Sequence, residues 1–311
     1  MSTQSIPSLT SSAEITQLQV IGIRYRRSTL APGDERSLDA YSDAQVYSAA
    51  NVPYQIVEPR FPDAQRVEDE PRNLGTLGGK IADVVASARQ ENKAILMTGG
   101  DCCHITGIFG GLQDVHGPQV KVGLVWLDAH GDFNTPNTTL SGMLGGMPVA
   151  VCAGLAYPQW REGSHIVSPL PTDRILMVDV RNLDPAEEQL IRATDVAIVS
   201  VDPNSSSQES ADSELQRAVN TLSSRCDLIY LHIDSDILDE SYVPNHGTKE
   251  PNGPNMAQVQ SIIGTVMATG KVAVLAVVSV YGEGEGREKS VESGIELIRS
   301  GLNAWSQYGM G

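Results

Sequence analysis

An α/β fold, a doubly wound parallel sheet with helices on both faces, is the architecture this sequence predicts. Three observations lead there. Short apolar runs alternate with helical patterns along nearly the whole chain, as in repeated β–α–β units. Several of these runs are continuously apolar rather than alternating, as strands covered on both faces must be. Loops rich in Pro, Gly, Asn and Thr, Thr135–Gly146 and Leu238–Pro254, follow directly on two of the strands. Open α/β sheets place their sites at such strand ends.

The expected strands are Leu18–Tyr25, Tyr54–Val57, Ala94–Thr98, Val122–Leu127, Arg174–Val180, Val196–Val201, Asp227–Ile233 and Val272–Val280. Helices are expected at Leu77–Gln90, Pro185–Ala193, Ser210–Ser223, Asn255–Thr269 and Ser290–Trp305. The clearest is Asn255–Thr269, where Val259, Ile262, Ile263, Val266 and Met267 recur at the spacing of one buried helix face. Residues 1–15 are rich in Ser and Thr and read as a disordered tail. Residues 16–311 then form a single domain, with no linker composition and no internal repeat.

The chain has 311 residues, 41% hydrophobic and 19% charged, which suits one large globular domain. Its net charge of −16 excludes the basic face that nucleic acid requires and disfavours an anionic membrane surface. The same charge is compatible with a cationic small-molecule substrate. Four cysteines, two of them adjacent at Cys102 and Cys103, do not form a disulfide framework and point to reduced thiols in the cytoplasm. The N-terminus lacks the apolar core of a secretory leader, and no apolar run is long enough to span a bilayer.

Three expected strand ends carry metal-ligand chemistry. They are Gly99-Gly100-Asp101-Cys102-Cys103-His104, Asp128-Ala129-His130-Gly131-Asp132-Phe133-Asn134 and His232-Ile233-Asp234-Ser235-Asp236. In extended backbone, residues two apart share a face, which aligns Asp128 with His130 and Asp234 with Asp236. Four carboxylates and an imidazole would then converge at one end of the sheet. Carboxylates crowded together raise one another's pKa and require neutralisation. Two divalent cations supply it, and this donor set suits Mn²⁺. Such a pair can acidify a water for attack on a planar carbon.

These three segments resemble the Gly-Gly-Asp-His, Asp-Ala-His-x-Asp-x-Asn and Asp-x-Asp motifs of the arginase (ureohydrolase) family, in the same order and over roughly Gly99–Gly253. The stretch Asp128–Pro148 is similar to the arginase branch throughout. The resemblance implies a three-layer α/β/α fold, a di-manganese centre, hydrolysis of a guanidine C–N bond, and a trimer or hexamer. It implies that Asp128, Asp132, Asp234 and the residue at 102 hold one ion, and Asp128, His130, Asp234 and Asp236 the other. It assigns Asn134 and Ser141 to a substrate α-carboxylate, Asp184 and Glu187 to its α-amino group, and Thr248 to the guanidine. Asp132 would assist proton movement, and His246, in the loop after the third motif, would reach the substrate. Asp184 and Glu187 also fit an ordinary helix start after which Pro185 follows.

The sequence departs from the family pattern in three places. Cys102 stands where the family has a histidine, with His104 two positions on. Gly145 stands where the family has the histidine that delivers a proton to the leaving amine. The carboxylate that pairs with the guanidinium falls near Ser279, with Glu283 and Glu285 following as possible substitutes. The cysteine change resembles the Nω-hydroxy-L-arginine amidinohydrolases. Losing a charge partner and a proton donor favours a less basic guanidine, so Nω-hydroxy-L-arginine is the expected substrate, giving ornithine and hydroxyurea. Arginine, peptidyl-arginine, agmatine and formiminoglutamate are the alternatives within the enzyme class. A non-catalytic protein binding a metal or an amino acid is the alternative outside it.

Overall fold

The computed structural model of the chain describes residues 13–204 and 208–310. Eight strands form one sheet: β1 (Leu18–Ile23), β2 (Tyr54–Val57), β3 (Ala94–Gly99), β4 (Val122–Leu127), β5 (Ile175–Val178), β6 (Ala197–Val199), β7 (Leu228–Asp234) and β8 (Val272–Val278). Their order is β2-β1-β3-β8-β7-β4-β5-β6, and every pairing is parallel. All eight expected strands are present, with ends shifted by up to two residues in most of them.

Side chains alternate between two separate apolar cores, one on each face. Val125 and Leu127 of β4 pack into the first, while Leu124 and Trp126 pack into the second. The first core is closed by α1 (Leu38–Asp43), α7 (Gln208–Arg225), α8 (Met256–Met267) and α9 (Arg287–Tyr308). The second is closed by α2 (Glu70–Gln90), α3 (Ile105–His116), α4 (Pro148–Cys152), α5 (Pro158–Gly163) and α6 (Pro185–Arg192). This is the three-layer α/β/α arrangement, with continuous apolar strands such as β4, β7 and β8 buried on both faces.

The expected helix at 255–269 is α8. Asn255 caps it by accepting from Gln258 N at 3.0 Å while Gln258 returns a bond from Asn255 N at 2.9 Å. Its buried face contains the five expected apolar residues. Helix α2 begins seven residues before the expected Leu77, with Asp69 accepting from Arg72 N. Glycines at 75, 78 and 79 lower the helix signal there, yet contact demands them: a Cβ on Gly75 would lie 2.8 Å from Gln159 O of α5.

Two expectations are corrected. The first strand stops at Ile23, and Tyr25–Arg26 pairs antiparallel with Thr29–Leu30 in a small hairpin. Distant groups hold it: Arg27 N donates to Asp101 Oδ2 at 2.8 Å, and Ser28 N to Glu70 Oε1 at 3.2 Å. The tail expected over residues 1–15 falls outside the described residues up to residue 12. Its last part is tied down, because Ala13 bridges Met310 and Ile15 is buried in the first core.

Candidate metal centre

The four central strands, β3, β8, β7 and β4, lie side by side, and their carboxyl ends deliver residues 100–104, 279–281, 234–236 and 128–134 to one place. A cavity of about 510 Å³ opens there, of a size that suits a small-molecule ligand.

After β3, Gly99 and Gly100 turn the chain through left-handed conformations, φ +73° and +63°; a Cβ on Gly99 would lie 2.7 Å from Ile23 O. Asp101 then caps the short turn Cys102–His104 by accepting from Cys103 N at 3.1 Å. The turn points Cys102 into the cavity and His104 away from it. His104 accepts from Asp101 N at 3.1 Å through Nδ1 and donates to Arg27 O at 2.9 Å through Nε2, so one ring nitrogen is committed to its own turn and the other to the hairpin. Cys102 Sγ donates to Asp234 Oδ2 at 3.0 Å and lies 3.6 Å from Asp128 Oδ2.

Behind the sulfur is His232, the residue two before Asp234 in the third motif. Its Nε2 is 3.4 Å from Cys102 Sγ, its Nδ1 is 2.7 Å from the Tyr230 hydroxyl, and its ring stacks on Trp126 at 4.1 Å and 6°. Burial holds its pKa down at about 3, so this imidazole is neutral.

After β4, Asp128 Oδ1 accepts from His130 N at 2.6 Å. His130 Nδ1 lies 3.3 Å from Asp128 Oδ1 and 3.2 Å from Asp236 Oδ2, and its Nε2 contacts Glu250 Oε1 at 3.0 Å. Asn182 Nδ2 donates to the same glutamate oxygen at 2.9 Å. Sequence reasoning missed Glu250, which is 120 residues from His130. Asp132 adopts φ +46° and is buried with Cys102 and Asp128.

After β7, the convergence of Asp234 and Asp236 comes from a turn and not from extended alternation. Asp234 accepts from Asp236 N at 3.1 Å and so caps the one-turn helix Ser235–Ile237. Asp234 Oδ2 also accepts from Ser279 Oγ at 2.5 Å. His246, expected to face substrate, is buried against the carboxylates. Its Nε2 is 3.4 Å from Asp234 Oδ1 and its Nδ1 3.7 Å from Asp236 Oδ2, although the residue also lines the cavity. Thr248 Oγ1 donates to Asp236 Oδ2 at 3.1 Å.

Three groups are close enough to share a cation: Cys102, Asp128 and Asp132; Asp128, His130 and Asp236; Asp234, Asp236 and His246. The electrostatics fit that use. Burial, then the neighbouring carboxylates, push Asp128 and Asp132 well above the usual carboxylate range, and the same causes raise the Cys102 thiol. Burial would also raise Asp236, but hydrogen bonding and charge from His130 and His246 hold it below the usual range. Burial opposes charge on both histidines, yet Asp128 and Asp236 raise His130, and Asp234 and Asp236 raise His246 to about 9. No Lys or Arg is within ion-pair distance of these four aspartates among the described residues. Divalent cations are what such a donor set lacks.

The Arginase family model matches residues 17–302. The chain belongs to the arginase family. It is 26% identical over 264 residues to the arginase of Neurospora crassa, covering 80% of this chain and 72% of that one. It is 30% identical over 169 residues to the arginase of Bacillus caldovelox, covering 54% and 55%. The fold is similar to that of Entamoeba histolytica arginase solved with L-ornithine, with a TM-score of 0.81 at 19% identity over 93% of this chain and 99% of that one. It is also similar to Bacillus subtilis formimidoylglutamase, with a TM-score of 0.71 at 14% identity over 95% and 89%. The chain is thus a ureohydrolase, a hydrolase acting on C–N bonds of amidines.

The remaining site residues lie around the same cavity. Asn134 Nδ2 donates to Asp184 Oδ2 at 3.2 Å, and Leu140 N donates to that oxygen at 3.1 Å. Glu187 is buried and accepts from Phe133 N at 2.8 Å and Asp184 N at 3.2 Å, closing the capping box of α6. Both acids therefore perform the helix-start role while bordering the cavity. Ser141 is exposed at the mouth and accepts from Met143 N. A Cβ on Gly145 would meet only Met143, at 3.8 Å, so the place of the family histidine is open space. Glu283 and Glu285 do not line the cavity, and Glu283 Oε1 accepts from Asp34 N at 2.9 Å. The expected substitute carboxylate is thus turned outward. Among the described residues no helix is long and apolar enough to cross a membrane.

Proposed function

We propose that this enzyme hydrolyses the guanidino C–N bond of an arginine derivative, with Nω-hydroxy-L-arginine preferred over arginine, giving ornithine and hydroxyurea. One observation supports this above others. Four buried carboxylates, two histidines and a thiol converge on one cavity, while position 279 presents a serine hydroxyl and neither Glu283 nor Glu285 lines the cavity.

In this reading Cys102, Asp128, Asp132 and Asp234 hold one divalent ion, and Asp128, His130, Asp234 and Asp236 the other, with Mn²⁺ the best match to the mostly oxygen donor set. Two such ions would neutralise the carboxylates and would supply an acidified water as the nucleophile. Glu250 fixes the ring of His130, and His246 and Thr248 hold Asp236 in place. Asn134 and Ser141 receive the α-carboxylate, and Asp184 with Glu187 the α-amino group. Water adds to the guanidine carbon, the bond to the ornithine nitrogen breaks, and Asp132 passes the proton that this nitrogen needs. The chain works as a cytoplasmic homo-oligomer, a trimer or hexamer, on a free amino acid.

The test is product formation by Mn²⁺-reconstituted protein on L-arginine, Nω-hydroxy-L-arginine, agmatine, formiminoglutamate and an arginine-containing peptide, read by mass spectrometry. Ornithine from the hydroxylated substrate in clear excess over that from arginine is expected. A tenfold preference for arginine in kcat/KM would overturn the substrate assignment and leave the family chemistry standing.

A further inference from the structure

The cavity has two chemically opposite walls. One is the carboxylate cluster. The other is built by the hairpin, the segment before α1 and the end of β8, and it contributes Arg26, Arg27, Arg36, Ser279 and Tyr281. Arg26, Arg27, Arg36 and Tyr281 carry side-chain donors, and the one carboxylate beside them, Asp101, is taken up by Arg27 N at 2.8 Å and Cys103 N at 3.1 Å. In a protein of net charge −16, three arginines on one cavity wall are a local reversal of sign.

Arg36 is the anchor of this wall and is 2% exposed. It donates to Gly100 O at 3.2 Å and pairs with Glu35 at 2.9 Å. Arg26 pairs with the same glutamate, so one carboxylate serves two guanidiniums and the wall stays positive. The Arg36 Nε is buried without a hydrogen-bond partner. Its guanidinium lies 5.1 Å from the centre of the Tyr281 ring. Tyr281 is also set from other sides. Its ring meets His246 edge-on at 5.3 Å and 83°, and its backbone carbonyl accepts from Asn245 Nδ2 at 3.0 Å. Ser279 spends its hydroxyl hydrogen on Asp234. His246 in turn touches Asp234, so the phenol stands one ring away from the carboxylates that hold the ions. The reacting head of a substrate has to fit in that space.

We propose that Tyr281, with Arg36 behind it, determines which head group the enzyme accepts: an N-hydroxyguanidine, through a hydrogen bond from the phenol to the hydroxyl oxygen, and not a guanidinium cation. A guanidinium carries five N–H donors and no acceptor, so it cannot accept from the phenol, and the nearest carboxylate on this wall, Asp101, already accepts from Arg27 N and Cys103 N. It would also sit beside the buried charge of Arg36, where like charges repel strongly. An N-hydroxyguanidine is less basic, and its oxygen has lone pairs that the phenol can satisfy. Arg36 acts on the substrate through Tyr281 and through the sign of its field. This inference rests on the amidine-hydrolysis reading above and adds the residues that select among amidines.

The test uses the Mn²⁺-loaded full chain and the variant Tyr281→Phe, which keeps the ring and its packing. The values of kcat/KM on Nω-hydroxy-L-arginine and L-arginine are compared. Calorimetry then measures the affinity of wild type and variant for N-hydroxyguanidine and for guanidinium. Loss of one well-placed hydrogen bond should lower kcat/KM on the hydroxylated substrate by about 10–100-fold, with arginine changed by less than about threefold. The preference of the site for N-hydroxyguanidine over guanidinium should shrink in parallel. Arg36→Met should lower KM for arginine more than it changes kcat, an effect that simple loss of structure would not produce. An equal fall on both substrates, or an unchanged ratio in Tyr281→Phe while the wild type is active on the hydroxylated one, overturns the assignment of Tyr281. If the metal-loaded wild type hydrolyses neither substrate and binds neither probe, the amidine-hydrolysis reading itself is overturned.

Discussion

The two halves of the metal centre are built on different physical terms. The half around His130 is held together by charge before any metal arrives. His130 sits between Asp128, Asp236 and Glu250, His246 lies against Asp234 and Asp236, and Thr248 donates to Asp236. The half around Cys102 has no such cation. Its sulfur meets two carboxylates and a neutral imidazole, and Asp128 and Asp132 there are driven toward protonation. One half carries its own cationic partners, and the other has only neutral donors beside its carboxylates. A thiol at position 102 thus differs from an imidazole in more than ligand softness, because it cannot carry the positive charge that His130 and His246 bring to their carboxylates.

The comparison breaks most completely at a residue the halves share, Asp128 or Asp234. Asp128→Asn should abolish binding of both ions, seen as less than one metal per chain by elemental analysis, with product formation at background. Next comes Cys102→Ala. With Co²⁺ as the probe, the wild type should show thiolate-to-cobalt charge-transfer absorption; the variant should lose it and retain the ion at the His130 half. Retention of the absorption would show that another thiol binds. Glu250→Gln should weaken metal affinity at the His130 half by about 10–100-fold, the usual cost of removing a carboxylate behind a ligand histidine. A titration showing two ions bound as tightly as in the wild type would contradict the role given to Glu250.

The effect of pH sharpens the contrast more gently. His246 is raised to about 9 in the metal-free protein. Its contribution is therefore fully present below its unfolded value near 6.5 and is lost as pH rises through 9. The raised Asp128 and Asp132 act in the same direction. Metal-free protein should lose thermal stability between pH 6.5 and 9. Metal-loaded protein should not, because its ligands must shed protons to bind. The gap in Tm with and without chelator should therefore widen with pH; a constant gap would mean that these groups are not coupled to folding. The smallest effect is expected from Gly145→His, where the added side chain enters open space and Tm should move by no more than about 2 °C.

Much of this molecule was legible in the sequence, and the rest has an identifiable cause. The inner sheet strands could be read because both of their faces are buried, which writes their apolar character without interruption, and the exposed edge strand β2 was read from its short apolar, β-branched run alone. The hairpin at residues 25–30 could not, since its two-residue strands carry no period and are held by Asp101 and Glu70 far along the chain. The candidate ligands Cys102, Asp128, His130, Asp132, Asp234 and Asp236 were legible as a group because each lies at or within five residues of a strand end. Glu250, His232, Tyr281 and Arg36 matter for what they touch across the fold, and local spacing has no record of such contacts. The geometry at Asp234 and Asp236 was misread for a related reason. The strand ends at Asp234, and a cap replaces extended backbone one residue later.

The order of the strands has a consequence for how the enzyme comes into being. β8 is the last strand of the sheet along the chain, yet it lies in the middle, between β3 and β7. During synthesis the group β2-β1-β3 and the group β7-β4-β5-β6 can each pair internally, but they have no common edge until residues 272–278 emerge. Until then each leaves an open parallel edge exposed, a hazard for aggregation and a reason for slow maturation. The same insertion brings the Cys102 turn beside Asp234 and carries Ser279 and Tyr281 to the cavity. A nascent chain halted before β8 therefore holds all the metal ligands but has no metal centre, and the last strand to be made is the keystone of the catalyst.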